Sequence, residues 1–73
     1  MSATYFIPAS WTRMQRFGAA HALERTYKVI EKIEVKLDNR LGLKITTETP
    51  VSESDQQTYG LVPVEENELI NTP

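Results

Sequence analysis

The chain contains no cysteine, which excludes disulfides, thiolate zinc sites and thiol nucleophiles and fits a reducing compartment. It has a single imidazole, His21, in an alanine-rich turn where only Glu24 stands at the spacing that would orient it. We therefore read His21 as a packing or surface residue, not as a base. Its glycines, Gly18, Gly42 and Gly60, are isolated from one another, so no glycine-rich phosphate loop can form. No stretch approaches the roughly 20 apolar residues of a membrane span, and the start MSATYFIPASW lacks the charged front and unbroken apolar run of a signal peptide. A soluble, cytoplasmic protein without membrane attachment is expected.

Carboxylates are scattered or sit side by side at Glu65-Glu66, with no calcium-loop spacing. The residues thus point to no metal, no cofactor and no catalytic group, and the expected protein is not an enzyme. At 73 residues the chain makes one small domain, because a body of this size buries a low fraction of its surface. We place that domain over residues 1–64, followed by an acidic, flexible tail over 65–73, where EENELINTP has too few apolar groups to offset its ordering entropy.

Charge is divided unevenly. Residues 1–28 hold Arg13, Arg16, Arg25 and Lys28 against Glu24, a sum of +3; residues 29–50 balance; residues 51–73 hold five carboxylates and no basic group, a sum of −5. Opposite polarity at the two ends suits a chain that docks on another macromolecule, since charge steers encounters and fixes register.

The periodicities predict an α+β fold. Tyr5-Phe6-Ile7, closed by Pro8, reads as a short leading strand. Ser10 is a candidate N-cap for a helix over residues 10–26, although Arg13 stands where a capping box wants Glu or Gln. A helical projection gathers Trp11, Met14, Phe17, Gly18, Ala19, His21, Ala22 and Leu23 on one arc, taken as the packed face. Arg13, Arg16, Ala20 and Glu24 fall on the other side, taken as the wet one. Gly18 in the helix interior suggests close backbone approach.

Residues 29–49 alternate as two strands. Asn39-Arg40-Leu41-Gly42 suits a type I turn with Gly42 in a left-handed bulge, a register that opposes Leu37 to Ile45, Val35 to Thr47 and Ile33 to Thr49. All these apolar side chains would then share one face. SESDQQ reads as a polar, acidic loop, and Tyr59–Val64 as a short third strand that Pro63 confines to an edge. The expected architecture is one amphipathic helix packed on a small antiparallel sheet centred on this hairpin.

Arg13, Arg16, Arg25 and Lys28 interleave with Trp11, Phe17 and Tyr27. Arginine with tryptophan and tyrosine is the composition of protein-binding hot spots, and also of surfaces that stack on bases and neutralise phosphates. Four cations are thin for the second role. The candidate partner-binding residues are Trp11, Arg13, Arg16, Glu24 and Tyr27. A small nucleic-acid-binding module on the same basic helix is the second reading.

In length, lack of cysteine and catalytic groups, and the split between SWTRMQRFGAAHALER and VEENELINTP, the chain resembles the small phage-encoded regulators that bind a host's multisubunit RNA polymerase. That resemblance implies a protein partner, a subunit of bacterial RNA polymerase in the host cytoplasm. It also implies inhibition of initiation from host promoters and help in passing terminators.

Overall fold

A computed structural model describes residues 1–8, 12–37 and 39–64. The fold is α+β, with strands β1 (Ala3–Pro8), β2 (Val29–Leu37), β3 (Arg40–Thr47) and β4 (Val62–Val64), and helices α1 (Arg13–Glu24) and α2 (Glu53–Tyr59). The strands form one antiparallel sheet in the order β2-β3-β1-β4. The hairpin therefore sits at one side of the sheet, and the short strands from both ends of the domain add to its β3 flank. Pro63 lies opposite Tyr5 on the outermost strand, an edge position where a missing donor costs no ladder bond.

The hairpin exists, but its register differs from the bulged one expected. Leu37 opposes Arg40, Val35 opposes Gly42 and Ile33 opposes Lys44. Only two residues, Asp38 and Asn39, thus separate the strands. Asn39 supplies the positive φ, at 63°, a conformation that its short polar side chain tolerates. Gly42 is needed elsewhere: a Cβ there would lie 2.2 Å from the Ile7 carbonyl oxygen and 2.5 Å from the tip of the Phe6 ring.

Shifting the register redistributes the apolar side chains over both faces of the sheet. Tyr5, Ile7, Leu43 and Ile45 point toward the helices and form the core with Ala20, Leu23, Val51 and Leu61. By strand alternation, Ile33, Val35, Leu37 and Phe6 belong to the other face. Phe6 and Leu37 are buried there, whereas Ile33 and Val62 stay exposed.

Helix α1 starts later than residue 10, and its inward side is the expected one only in part: Leu23, Phe17 and Ala19 pack on the core as expected, while Arg16 and Ala20 join them from the side expected to be wet. Thr12, not Ser10, is its N-cap; the Thr12 hydroxyl accepts from the Gln15 amide and the Gln15 side chain accepts from the Thr12 amide, a complete capping box. The buried residues of α1 are Arg16, Ala20 and Leu23. Met14 is 84% exposed, and nothing approaches within 4 Å of a Cβ built on Gly18. Close backbone contact is therefore not what Gly18 provides. Small Ala20 lets the helix settle on the sheet, and the aliphatic stem of Arg16 covers apolar surface while its head reaches a carboxylate.

The expected SESDQQ loop is a second helix. Ser52 caps α2 by accepting from the Asp55 amide, Glu53 and Asp55 occupy the first turn, and Gly60 closes it in the left-handed region at φ 68°. No residue of α2 is fully buried, so the helix is held by Tyr59, which packs against the core in its last turn, and by side-chain bonds. Tyr5 Oη accepts from the Val51 amide at 2.8 Å, and Gln56 Nε2 donates to the Val51 carbonyl at 2.8 Å. Tyr27 Oη donates to Asp55 at 2.7 Å and accepts from the Ser52 amide. The expectations for Trp11, and for a flexible tail over 65–73, lie outside the described residues.

Candidate functional site

The hollows along the β2 side of the molecule arise where the first turns of α1 cross the sheet. The Thr12 capping box fixes the start of α1, and one helical turn then separates Arg13 from Arg16 and Phe17. Both arginines reach Glu34 on β2. Arg13 donates through Nε at 3.3 Å and Nη2 at 3.1 Å, one bond to each carboxylate oxygen, and Arg16 Nη2 lies 3.6 Å from Oε2. The first is the two-pronged geometry in which guanidinium matches carboxylate best. Arg16 is buried while Arg13 remains largely exposed, so the expectation of two arginines on a wet face fails for Arg16.

Around this cluster are two hollows. One, of about 300 Å³, is lined by Arg16, Glu34, Val35, Lys36, Leu41 and Gly42. The other, of about 400 Å³ and more open, is lined by Arg13, Met14 and Phe17. Because Arg13 and Arg16 share Glu34, the two hollows adjoin. Arg13 also stacks over the Phe17 ring, with 5.4 Å from Cζ to the ring centre. Leu41 is 62% exposed, so two large apolar side chains, Met14 and Leu41, are presented to solvent beside a polar cluster of net positive charge.

The other sequence candidates do not join this cluster. Glu24 accepts from Lys32 Nζ at 2.5 Å, at the opposite end of α1. That hydrogen bond outweighs the opposing effect of burial and, with the lesser help of the charges of Lys32 and His21, holds the Glu24 carboxyl below the usual glutamate range. Tyr27 is half-buried with its hydroxyl committed to Asp55 and Ser52; it is a strut for α2. Trp11 lies outside the described residues. His21 is exposed, with Nδ1 3.9 Å from Glu24. Among the described residues no three His, Cys, Asp or Glu side chains gather as a metal site would require, and no helix is long and apolar enough to cross a membrane.

Sequence reasoning missed Glu34, Lys36, Met14 and Leu41 as members of the site. For Met14 the projection assigned the wrong face. For the other three the signal is long-range, because only the hairpin register and the crossing of α1 bring them together.

No known protein family matches the chain, and comparison with curated proteins and with solved structures finds no match.

Proposed function

We propose that this chain is a non-catalytic regulatory protein that acts by binding another protein, and that its target is a subunit of bacterial RNA polymerase. The class of action rests on the surface beside Glu34; the choice of target rests on the resemblance to small phage-encoded regulators, which brings with it inhibition of host-promoter initiation and antitermination. The carrying observation is the exposure of Met14, in the hollow shared with Arg13, and of Leu41, in the hollow shared with Arg16 and Glu34. Methionine, aromatic residues and arginine are enriched in protein interfaces, and isolated apolar anchors ringed by charge are how such surfaces gain affinity and register.

The nucleic-acid reading loses ground on the same observations. Of the four cations in residues 1–28, Arg13 and Arg16 face Glu34, and Lys28 lies 3.3 Å from Glu48. A phosphate would have to displace a carboxylate at each of them, which offsets most of the gain from counterion release.

The test is capture of purified bacterial RNA polymerase by the immobilised protein after nuclease treatment, alongside transcription from a host promoter. Retention and inhibition are expected, and the Met14→Asp, Leu41→Asp double variant should lower affinity about 100-fold or more, the scale of losing two interface anchors. Retention that vanishes on nuclease treatment favours the nucleic-acid module. A double variant that stays folded and binds undiminished removes the proposed surface.

A further inference from the structure

Strand β2 is an outer strand of the sheet. It is nine residues long, and Ile30 through Glu34 and Lys36 are all exposed. In a two-residue hairpin the flanking pair, here Leu37 and Arg40, shares hydrogen bonds, and the pattern then alternates along the ladder. The backbone groups of Leu37, Val35 and Ile33 therefore face β3. Those of Lys36, Glu34 and Lys32 face outward, a row of donors and acceptors that a further strand can use.

The side chains specify what that strand must look like. On the helix side, β2 presents Lys32, Glu34 and Lys36, over which α1 brings Glu24, Arg13 and Arg16. Four cations against two carboxylates leave this lip at +2. Within it Lys36 makes no ion pair among the described residues. On the other side, Glu31 is neutralised by Lys44 at 2.8 Å, and Ile33 and Val35 are apolar. An added strand thus meets positive charge at one set of alternate positions and apolar surface at the other. The hollow of about 300 Å³ lined by Lys36, Leu41 and Arg16 opens beside the same edge, with room for one side chain.

A second copy of the chain fits this edge poorly. Pairing centred on Ile33 sets Lys36 against Ile30, where the ladder already shifts by a bulge between Val29 and Glu31. Pairing centred on Glu34 opposes Glu34 to Glu34 and Lys32 to Lys36. Pairing centred on Val35 offers Lys36 only a Glu34 that two arginines hold.

We propose that β2 docks an extended segment of the partner protein as an added antiparallel strand, the segment alternating polar and apolar residues with a carboxylate opposite Lys36 and an uncharged polar residue opposite Glu34. This rests on the protein-binding reading above and names its mode. The probe is the capped peptide acetyl-Val-Glu-Val-Thr-Val-Glu-Val-amide, titrated into labelled protein and followed by amide shifts and hydrogen exchange. Saturable shifts should centre on β2, and exchange should slow at Lys32, Glu34 and Lys36 with no change at Ile33 and Val35. The peptide with Lys in place of Glu should bind about tenfold or more weakly, the difference expected when like charges are set against the lip, and Lys36→Glu should shrink or reverse that preference. Shifts confined to α1, equal binding of the two peptides, or no saturation at millimolar peptide overturns the proposal. Protection of the same three amides that rises with protein concentration alone overturns it in favour of a second copy.

Failure here is separable from failure of the function. Lys36→Pro removes an outward donor while leaving the β3 ladder intact. If this variant melts normally and still captures polymerase, the edge is not the docking site while the regulator reading stands. If the peptide binds the edge but polymerase is never retained, the target is wrong and the edge proposal stands.

Discussion

Replacing Gly42 by alanine tests the hairpin register and the two-faced sheet together. The added methyl would sit 2.2 Å from the Ile7 carbonyl oxygen and 2.5 and 2.9 Å from two carbons of the Phe6 ring, against a normal separation of roughly 3.5 Å for non-bonded carbon atoms. Relief requires movement of more than about 1 Å. The obstacles resist it: the carbonyl belongs to β1, which pairs with strands on both sides, and Phe6 is fully buried. Inserting a methyl into such a place costs about 1–3 kcal/mol by overpacking, and the immobile carbonyl puts this site in the upper half of that range. With about 4–8 °C per kcal/mol for a domain of 60–100 residues, Gly42→Ala should lower the melting temperature by about 10–20 °C. Thermal unfolding followed by far-UV circular dichroism measures it. A loss under about 0.5 kcal/mol would mean that Phe6 does not lie over Gly42, and it would count equally against the bulged turn, in which a left-handed Gly42 penalises alanine by roughly 1–2 kcal/mol.

Gly18→Ala should do the opposite: with no neighbour near the new methyl, removal of a mid-helix glycine stabilises by about 0.5–1 kcal/mol, and a fall in melting temperature would show that something does pack there. Tyr27→Phe takes away the hydroxyl that serves both Asp55 and the Ser52 amide; a loss of about 1–2 kcal/mol, with exchange accelerating first in α2, is expected, and uniform acceleration across the sheet would contradict the strut role. Glu24 has a depressed folded-state pKa because of Lys32, so its contribution is complete above the unfolded carboxylate's range and is lost as the pH falls through the lower, folded-state value. Melting temperatures of the wild type and Glu24→Gln should therefore differ at neutral pH and converge in acid; divergence in acid would reverse the assigned sign.

The strands were legible because alternation and prolines mark them: β1 ends at Pro8, and Pro63 puts β4 at an edge. Their register was not, since a positive φ was assigned to the residue type that adopts it most easily. Asn39 took that conformation, freeing Gly42 for a close approach that no local pattern announces. Helix α2 carried its signals openly, with Ser52 before Glu53 and Asp55 and with Gly60 after Tyr59. It escaped notice because periodicity reveals a helix only when one side is buried, and α2 fully buries none of its residues. The inward side of α1 was legible at Phe17, Ala19 and Leu23 but not at Arg16, which counts as polar in any projection, whereas its stem is apolar and its head finds Glu34 only once the chain is folded. The candidate site was thus half-visible: Arg13 and Arg16 stood out by type, and their partners came from a strand 18 and 21 positions downstream.

A charge count along a sequence overstates the charge that the folded surface presents. The surplus of +3 over residues 1–28 suggests a basic helix facing an anionic partner. Folding sets Arg13 and Arg16 against Glu34, Lys28 against Glu48, and Glu24 against Lys32. Most of the apparent surplus is spent on pairs between the first and second thirds of the chain, and Arg25 is the one cation of the four without such a pair among the described residues. What survives is a small positive lip along β2 and two exposed apolar side chains beside it. A surface of that kind has too few available cations for strong phosphate binding, for which each contact contributes close to one unit of salt dependence. That surface supports the proposed protein partner, which would offer backbone hydrogen bonds and apolar side chains as well as carboxylates.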